Sequence, residues 1–221
     1  HGQIWALDYV PSEPMKVMKS MYDFSADPAN EHAPGPRHPH GRPHLLLAYA
    51  HMELHAPGRP RIVTLNDDFV ALVPFWAVWP FEIMVLPYKR FLGSLQDLTD
   101  AEIASLAHIL GEVTCRYDNL FRTSFPYSMG IHQKPVSHAQ DSLALYALFH
   151  IHFYPPLLRS ATVGNSLLGR LFTRFTDIRF EMMAEPQRDI TAEVQQKDYE
   201  HAIRHTTSPV TLSLIHISDG A

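Results

Sequence analysis

Three histidines are spaced so that they could bind one metal ion. His150 and His152 flank Ile151 within residues 148–154, a run whose composition is typical of a β-strand. Residues i and i+2 of a strand project from the same face, so both imidazoles point together while Ile151 points away. His132 ends a second strand-like run, and if the two strands lie side by side, the three imidazoles form a site that suits zinc or iron. The alternative interpretation is polar side chains on a solvated face.

His1 is the second candidate, because Gly2 and Gln3 follow it directly. A neutral imidazole can act as a nucleophile towards phosphorus, and the adjacent glycine lets a bulky phosphoryl group approach the backbone. Gln3 shares a strand face with His1 and can donate an amide hydrogen bond to a phosphoryl oxygen, but it cannot transfer a proton. The pattern therefore indicates covalent phosphoryl transfer, although a terminal histidine can also have no function.

A similar motif, His38-Pro39-His40-Gly41, lies inside residues 27–44, which are rich in proline, glycine and histidine. The prolines exclude a regular element, Arg42 stands where the glutamine would be, and no apolar residue anchors the segment. We expect an exposed loop without fixed structure. Adventitious metal binding with His32 and His44 is the remaining alternative.

The elements that must position these side chains follow from periodicity and turn signals. A capping box at Thr99 and Glu102 marks the clearest helix, which continues through Tyr117. Further helices are predicted over residues 12–24, 45–55, 167–185 and 191–205, and strands over residues 1–9, 62–75, 81–87, 124–132 and 143–154. Strands and helices in no strict alternation predict an α+β fold with a mainly antiparallel sheet and flanking helices.

Composition narrows the classes of function. The 221 residues are 46% hydrophobic and carry a net charge of −5, with no basic run, so a folded core is expected and nucleic acid is a poor partner. No stretch reaches the roughly 20 apolar residues of a membrane helix. The single cysteine, Cys115, excludes an internal disulfide and favours a cytoplasmic location. Because the sequence opens with His1 inside a strand-like run, we expect that sequence is missing upstream.

Five longer runs carry a resemblance to a known family. They are HGQIWA at residues 1–6, VPFWAVWPFE at 73–82, RYDNLF at 116–121, SFPYSMG at 124–130 and HFYPPLLRSATV at 152–163. In this order they resemble the galactose-1-phosphate uridylyltransferase family, and the resemblance spans most of residues 1–191.

The resemblance implies roles for particular residues. His1 matches the histidine that becomes uridylylated, and Gln3 matches the glutamine that holds the phosphoryl group. Substrate contacts match Phe180, Glu181 and Gln187. The three histidine ligands of the family's second metal site, which holds iron or zinc, match His132, His150 and His152.

The resemblance also implies a reaction and an assembly. UDP-glucose would give UMP to His1 and release glucose 1-phosphate, and galactose 1-phosphate would then take the UMP. The implied fold is a half-barrel like that of the histidine triad superfamily, assembled as a homodimer with active sites at the subunit interface.

Several departures from the family pattern affect the expected site. Val17 occupies the position of the family's metal-binding glutamate, with Glu13 the nearest carboxylate, so we expect a three-coordinate or open metal site. The family has another metal site, which holds zinc, and its ligands would lie upstream of His1. We expect residues 1–10 to end the N-terminal catalytic half and residues 11–205 to form the C-terminal uridylyltransferase domain, with 27–44 an inserted loop and 206–221 an unrecognised tail.

Three hypotheses follow. The leading one is a uridylyltransferase whose 221 residues alone show no UMP transfer, because the nucleotide-binding donors lie upstream. The alternative is a non-catalytic metal-binding and dimerisation module. A nucleotide phosphorylase or hydrolase is disfavoured, because Gln3 stands where an ionisable residue would be needed.

Overall fold

One antiparallel sheet with helices on both sides forms the described part of the chain. The computed structural model describes residues 9–77, 79–122, 124–136 and 141–154. The helices are α1 (Ser12–Ala26), α2 (Leu45–His55) and α3 (Asp100–Phe121), and the strands are β1 (Ile62–Leu65), β2 (Phe69–Leu72), β3 (Ile83–Pro87), β4 (Ser128–His132) and β5 (His150–Tyr154). The sheet order is β1-β2-β3-β5-β4, and every pairing is antiparallel. The predicted α+β class is confirmed.

Alternation along the strands divides the core into two layers. Phe69, Ile83 and Ile151 belong to the layer that packs against α3. Their neighbours Val70 and Met84 belong to the opposite layer, which packs against α2 and α1. Because both faces are covered, β2 and β3 are apolar at every position. Since Ile151 faces α3, its neighbours on β5 face α1 and α2.

The predicted capping box of α3 is present. The backbone N–H of Thr99 donates to Oε2 of Glu102 at 2.8 Å, and the backbone N–H of Glu102 donates to Oγ1 of Thr99 at 3.3 Å. The buried face of the helix carries Leu106, Ile109, Val113 and Tyr117, whereas Ile103 in its first turn is 51% exposed. The helix therefore begins where local chemistry predicts.

The prediction of one strand over residues 62–75 is wrong, because β1 and β2 form a hairpin there. Oδ1 of Asn66 accepts hydrogen bonds from the backbone N–H of Asp68 at 3.2 Å and of Phe69 at 3.0 Å. An asparagine side chain that satisfies turn amides in this way reverses the chain between two runs of similar composition.

Two other predicted strands are shorter than expected. β4 begins at Ser128 rather than residue 124, and β5 begins at His150 rather than residue 143. A 3-10 turn, Ala144–Tyr146, replaces the first part of the latter strand. In this turn, the carbonyls of Leu145 and Tyr146 accept hydrogen bonds from the side chains of His38 and His44. These two carbonyls are therefore not available to a neighbouring strand.

Most of residues 27–44 are exposed as expected, but the expectation that nothing anchors this loop is wrong. His38 and His44 are 4% and 1% exposed. His38 stacks on the ring of Tyr146 with 4.3 Å between centroids and meets the edge of Phe91 at 4.5 Å. Aromatic residues from outside the segment therefore supply the anchor that the local sequence lacks.

Within the described ranges, no helix combines the length and apolar character needed to cross a bilayer.

Candidate metal centre

The three histidines predicted to lie together do lie together. β4 pairs with β5 so that His132 is opposite His150, and Gly130 is opposite His152. One ring nitrogen from each histidine lies within 4.8 Å of the others. The predicted pairing of the two strands is thus confirmed, and it brings three imidazoles to one place on the face towards α1 and α2.

The rings adopt two orientations. Those of His132 and His150 are nearly parallel, with centroids 4.8 Å apart and an interplanar angle of 13°. The ring of His152 is roughly perpendicular to both, at 5.2 Å from each.

A backbone carbonyl selects the tautomer of His150. Nδ1 of His150 lies 2.8 Å from the carbonyl oxygen of Leu148, which can only accept a hydrogen bond. The proton must therefore be on Nδ1, and Nε2 keeps its lone pair. A hydrogen bond of this kind is what fixes a metal-ligating histidine in proteins.

Glu82 is a residue of the site that sequence reasoning missed. Its Oε1 lies 3.4 Å from Nδ1 of His152, and the two side chains are 4% and 11% exposed. This separation is an electrostatic contact rather than a well-formed hydrogen bond. The available signal was a lone carboxylate between Phe81 and Ile83 in an apolar strand, because such a buried charge needs a partner.

The environment keeps two of the three rings, those of His132 and His150, neutral. Burial and, to a smaller degree, the neighbouring His152 lower the pKa of His132 from 6.5 to about 4. Burial, with smaller contributions from His152 and His132, lowers the pKa of His150 to about 3, although the hydrogen bond to Leu148 opposes this shift. Both rings are therefore uncharged at neutral pH, which is the form that binds a metal.

The donor set fits a borderline transition metal. Three neutral imidazoles suit a zinc or iron ion and are poor ligands for calcium or magnesium, which prefer oxygen. Among the described residues, no carboxylate joins the cluster. Glu13 instead forms an ion pair with Lys16 at 2.6 Å, with 76% of its side chain exposed. Val17 lines a cavity beside His132 and His150.

Two more histidines hold the chain just before β5. Nε2 of His38 donates to the carbonyl of Leu145 at 3.0 Å, and Nε2 of His44 donates to the carbonyl of Tyr146 at 2.8 Å. Burial lowers the pKa of His44 to about 4, and the hydrogen bond to Tyr146 opposes this only partly. Residues 27–44 therefore brace the segment that leads into His150.

Five site residues predicted from the resemblance lie outside the described part of the chain. They are His1, Gln3, Phe180, Glu181 and Gln187. The predicted strand over residues 1–9, apart from its last residue, and the predicted helices over 167–185 and 191–205 lie outside it as well. These assignments stay predictions.

Comparison with protein families identifies one match. Residues 30–217 match the model of the galactose-1-phosphate uridyl transferase C-terminal domain. This range includes most of residues 27–44 and most of the segment 206–221.

Curated relatives give the same result. Galactose-1-phosphate uridylyltransferases from Kluyveromyces lactis, Saccharomyces cerevisiae and Haemophilus influenzae are 48%, 41% and 40% identical, each over 87% of this chain. The chain covers 45%, 45% and 47% of these three relatives, so it spans about half their length.

Solved structures share the fold. A uridylyltransferase structure matches with a TM-score of 0.59 and 21% identity, over 90% of this chain and 53% of that one. An ADP-glucose phosphorylase from Arabidopsis thaliana matches with a TM-score of 0.53 and 19% identity, over 70% and 43% of the two chains.

Proposed function

The chain belongs to the galactose-1-phosphate uridylyltransferase family, and on that basis we propose that the protein transfers UMP from UDP-glucose to galactose 1-phosphate. The observation that carries the proposal is the family match over residues 30–217. Relatives with this name, 40–48% identical, support it.

The proposed reaction has two steps at one phosphorus atom. A ring nitrogen of His1 attacks the α-phosphorus of UDP-glucose, the bond from this phosphorus to the bridging oxygen breaks, and glucose 1-phosphate leaves with the electron pair. A phosphate oxygen of galactose 1-phosphate then attacks the same phosphorus, and the phosphorus–nitrogen bond breaks to restore His1 and release UDP-galactose. Gln3 holds the phosphoryl group by its amide, and Phe180, Glu181 and Gln187 contact the substrates.

The proposal includes a zinc or iron ion held by His132, His150 and His152. A bound divalent cation would supply a fixed positive charge and join the edge strand β4 to β5. The carboxylate of Glu82 contacts Nδ1 of His152 and orients this ring, and the carbonyl of Leu148 orients the ring of His150 by accepting a hydrogen bond from its Nδ1. We further propose a cytoplasmic homodimer that binds UDP-glucose and galactose 1-phosphate and no nucleic acid.

Trapping the covalent intermediate tests the reaction. The protein is mixed with UDP-glucose in the absence of galactose 1-phosphate, quenched under alkaline conditions because the adduct is acid-labile, and mapped by peptide mass spectrometry. We expect uridylylation on His1. His40 is an internal control, because it lies in a similar motif, His38-Pro39-His40-Gly41. An adduct on His40, or on no histidine, would contradict the proposal.

The second half of the test concerns the length of the chain. Because the chain spans about half of its curated relatives, groups that bind the nucleotide and stabilise charge at phosphorus are expected in their remaining half. We expect no UMP transfer by the 221 residues alone, and transfer after they are joined at His1 to the preceding half of the Kluyveromyces lactis relative. Turnover by the 221 residues alone would contradict this expectation.

A second candidate is a metal-binding and dimerisation module without catalysis. Its support is that, of the proposed machinery, the described residues contain only the three-histidine cluster. Metal analysis of the wild type against His150→Ala and His152→Ala discriminates between the two. A stabilising ion that depends on both histidines, without turnover in the longer chain, would favour the module.

A further inference from the structure

A cavity of about 570 Å³ lies beside the three-histidine cluster, between α1 and β4. His132 and His150 form part of its wall, so two of the three imidazoles border it. Apolar side chains form much of the rest, among them Val17, Met18, Ile131 and Leu148. A volume of this size is typical of small-molecule sites.

The cluster is short of ligands for the ion that it would hold. Zinc in proteins takes four ligands, and where the protein supplies three, the fourth position takes an exogenous group. The described residues supply three nitrogens and no carboxylate. On the side of α1, the cavity is lined by Val17 and Met18, which are 38% and 5% exposed and carry none of the usual zinc ligands, which are imidazole, thiolate and carboxylate groups.

Charge decides which exogenous group is favoured. Three neutral imidazoles leave the charge of a divalent ion uncompensated, and apolar walls strengthen its attraction for an anion. Glu82 offsets part of this charge, but it lies behind His152 and does not line the cavity. The open position therefore prefers an anion that enters from the cavity.

The apolar cavity wall determines the polarity of the part of the ligand that does not bind the ion. A hydrated inorganic anion would leave Val17, Ile131 and Val136 facing water, whereas an aliphatic chain would cover them. We propose that the ion and the cavity together bind a small carboxylate with an apolar tail, the carboxylate on the ion and the tail against α1. This inference rests on the proposed metal site and goes beyond the transfer reaction.

Cobalt provides a direct readout, because its visible spectrum reports the ligands of the ion. The chain is loaded with Co²⁺ and titrated with acetate, butyrate and hexanoate. We expect a saturable spectral change with each acid, and binding about fourfold tighter for each added methylene that the cavity buries. Equal affinities for acetate and hexanoate would overturn the role of the cavity.

Val17 offers a matched pair of variants. In Val17→Glu the chain supplies its own carboxylate from the cavity wall, so the spectrum of the cobalt protein should resemble that of the wild type with acetate and should no longer respond to hexanoate. In Val17→Gln, which has the same shape without the charge, the response to hexanoate should persist. Loss of the response in both variants, or in neither, would overturn the proposed position of the ligand.

Failure of this inference and failure of the metal site are distinguishable. If the wild type takes up no cobalt, the metal site and the carboxylate site are both wrong. If cobalt binds and its spectrum responds to no carboxylate, only the carboxylate site is wrong, and another residue completes the coordination.

Discussion

Residues 27–44 and the three-histidine cluster are both rich in buried imidazoles, yet they use the rings in opposite ways. In residues 27–44, Nε2 of His38 donates to the carbonyl of Leu145, and Nδ1 of His38 accepts the backbone N–H of His40 at 3.2 Å. Both nitrogens are thus occupied, and this ring has no lone pair for a metal. In the cluster, Nδ1 of His150 donates to a carbonyl, so Nε2 carries the lone pair that can bind a metal.

His44 shows that an available ring nitrogen is not sufficient to make a histidine part of a metal site. Its Nε2 donates to Tyr146, and its buried Nδ1 has no hydrogen-bond partner. Among the described residues, however, the only group of three potential ligands consists of His132, His150 and His152. The density of histidines in a sequence is therefore a weak guide, and the partner of each ring nitrogen separates a brace from a ligand.

Removing a ligand should have the largest effect. We expect His150→Ala to weaken zinc binding by on the order of 1,000-fold, because two imidazoles hold the ion poorly and second-shell losses alone cost 10–100-fold. His40→Ala, an exposed histidine of residues 27–44, should leave zinc affinity unchanged. Competition with a chromophoric chelator measures both. Unchanged zinc affinity in His150→Ala would contradict the assignment of the three-histidine cluster, as opposed to residues 27–44, as the metal site.

Acid should destabilise the metal-free protein through His44. Its pKa is lowered from 6.5 to about 4 in the folded state. The unfolded chain therefore takes up the proton first, and the stability contributed by neutral His44 is present above about pH 6.5 and lost as pH falls towards 4. The full loss is on the order of 3 kcal/mol for this one group.

Urea unfolding in EDTA at several pH values tests this loss. In His44→Gln, which keeps a donor for Tyr146 but cannot titrate, the free energy of unfolding should fall less steeply with acid, by about 1.4 kcal/mol per pH unit. His40→Gln serves as the control and should keep the slope of the wild type. Equal slopes in all three proteins would show that His44 is not held neutral.

Glu82→Gln should have an intermediate effect, confined to the cluster. The carboxylate lies beside Nδ1 of His152 and orients the ring, so its loss should weaken zinc binding by about 10–100-fold. Glu13→Gln removes an exposed carboxylate that pairs with Lys16 and should leave the affinity unchanged. Calorimetric titration of both variants measures the difference, and similar affinities would remove Glu82 from the site.

The smallest effect is expected where histidine acts only as a brace. His38→Ala leaves the carbonyl of Leu145 without its donor and removes the stacking on Tyr146, so the free energy of unfolding should fall by about 1–2 kcal/mol. His40→Ala, two residues away and exposed, should change it by less than about 0.5 kcal/mol. If both variants unfold like the wild type, residues 27–44 do not brace β5.

Local chemistry in the sequence was sufficient for several features. The alternation along β5 placed His150 and His152 on one face, and the capping box at Thr99 placed the start of α3. Both patterns act between residues that are close along the chain, so a single sequence is enough to predict them.

Other features depend on residues far apart along the chain, and only the folded sheet brings them together. The partners of His38 and His44 lie 107 and 102 residues away. Glu82 meets His152 because β3 pairs with β5, with Met84 opposite His152. Strand register and the packing of the layers determine the bracing contacts of His38 and His44, the position of Glu82 beside His152 and the cavity beside Val17. No local sequence pattern encodes this register or packing.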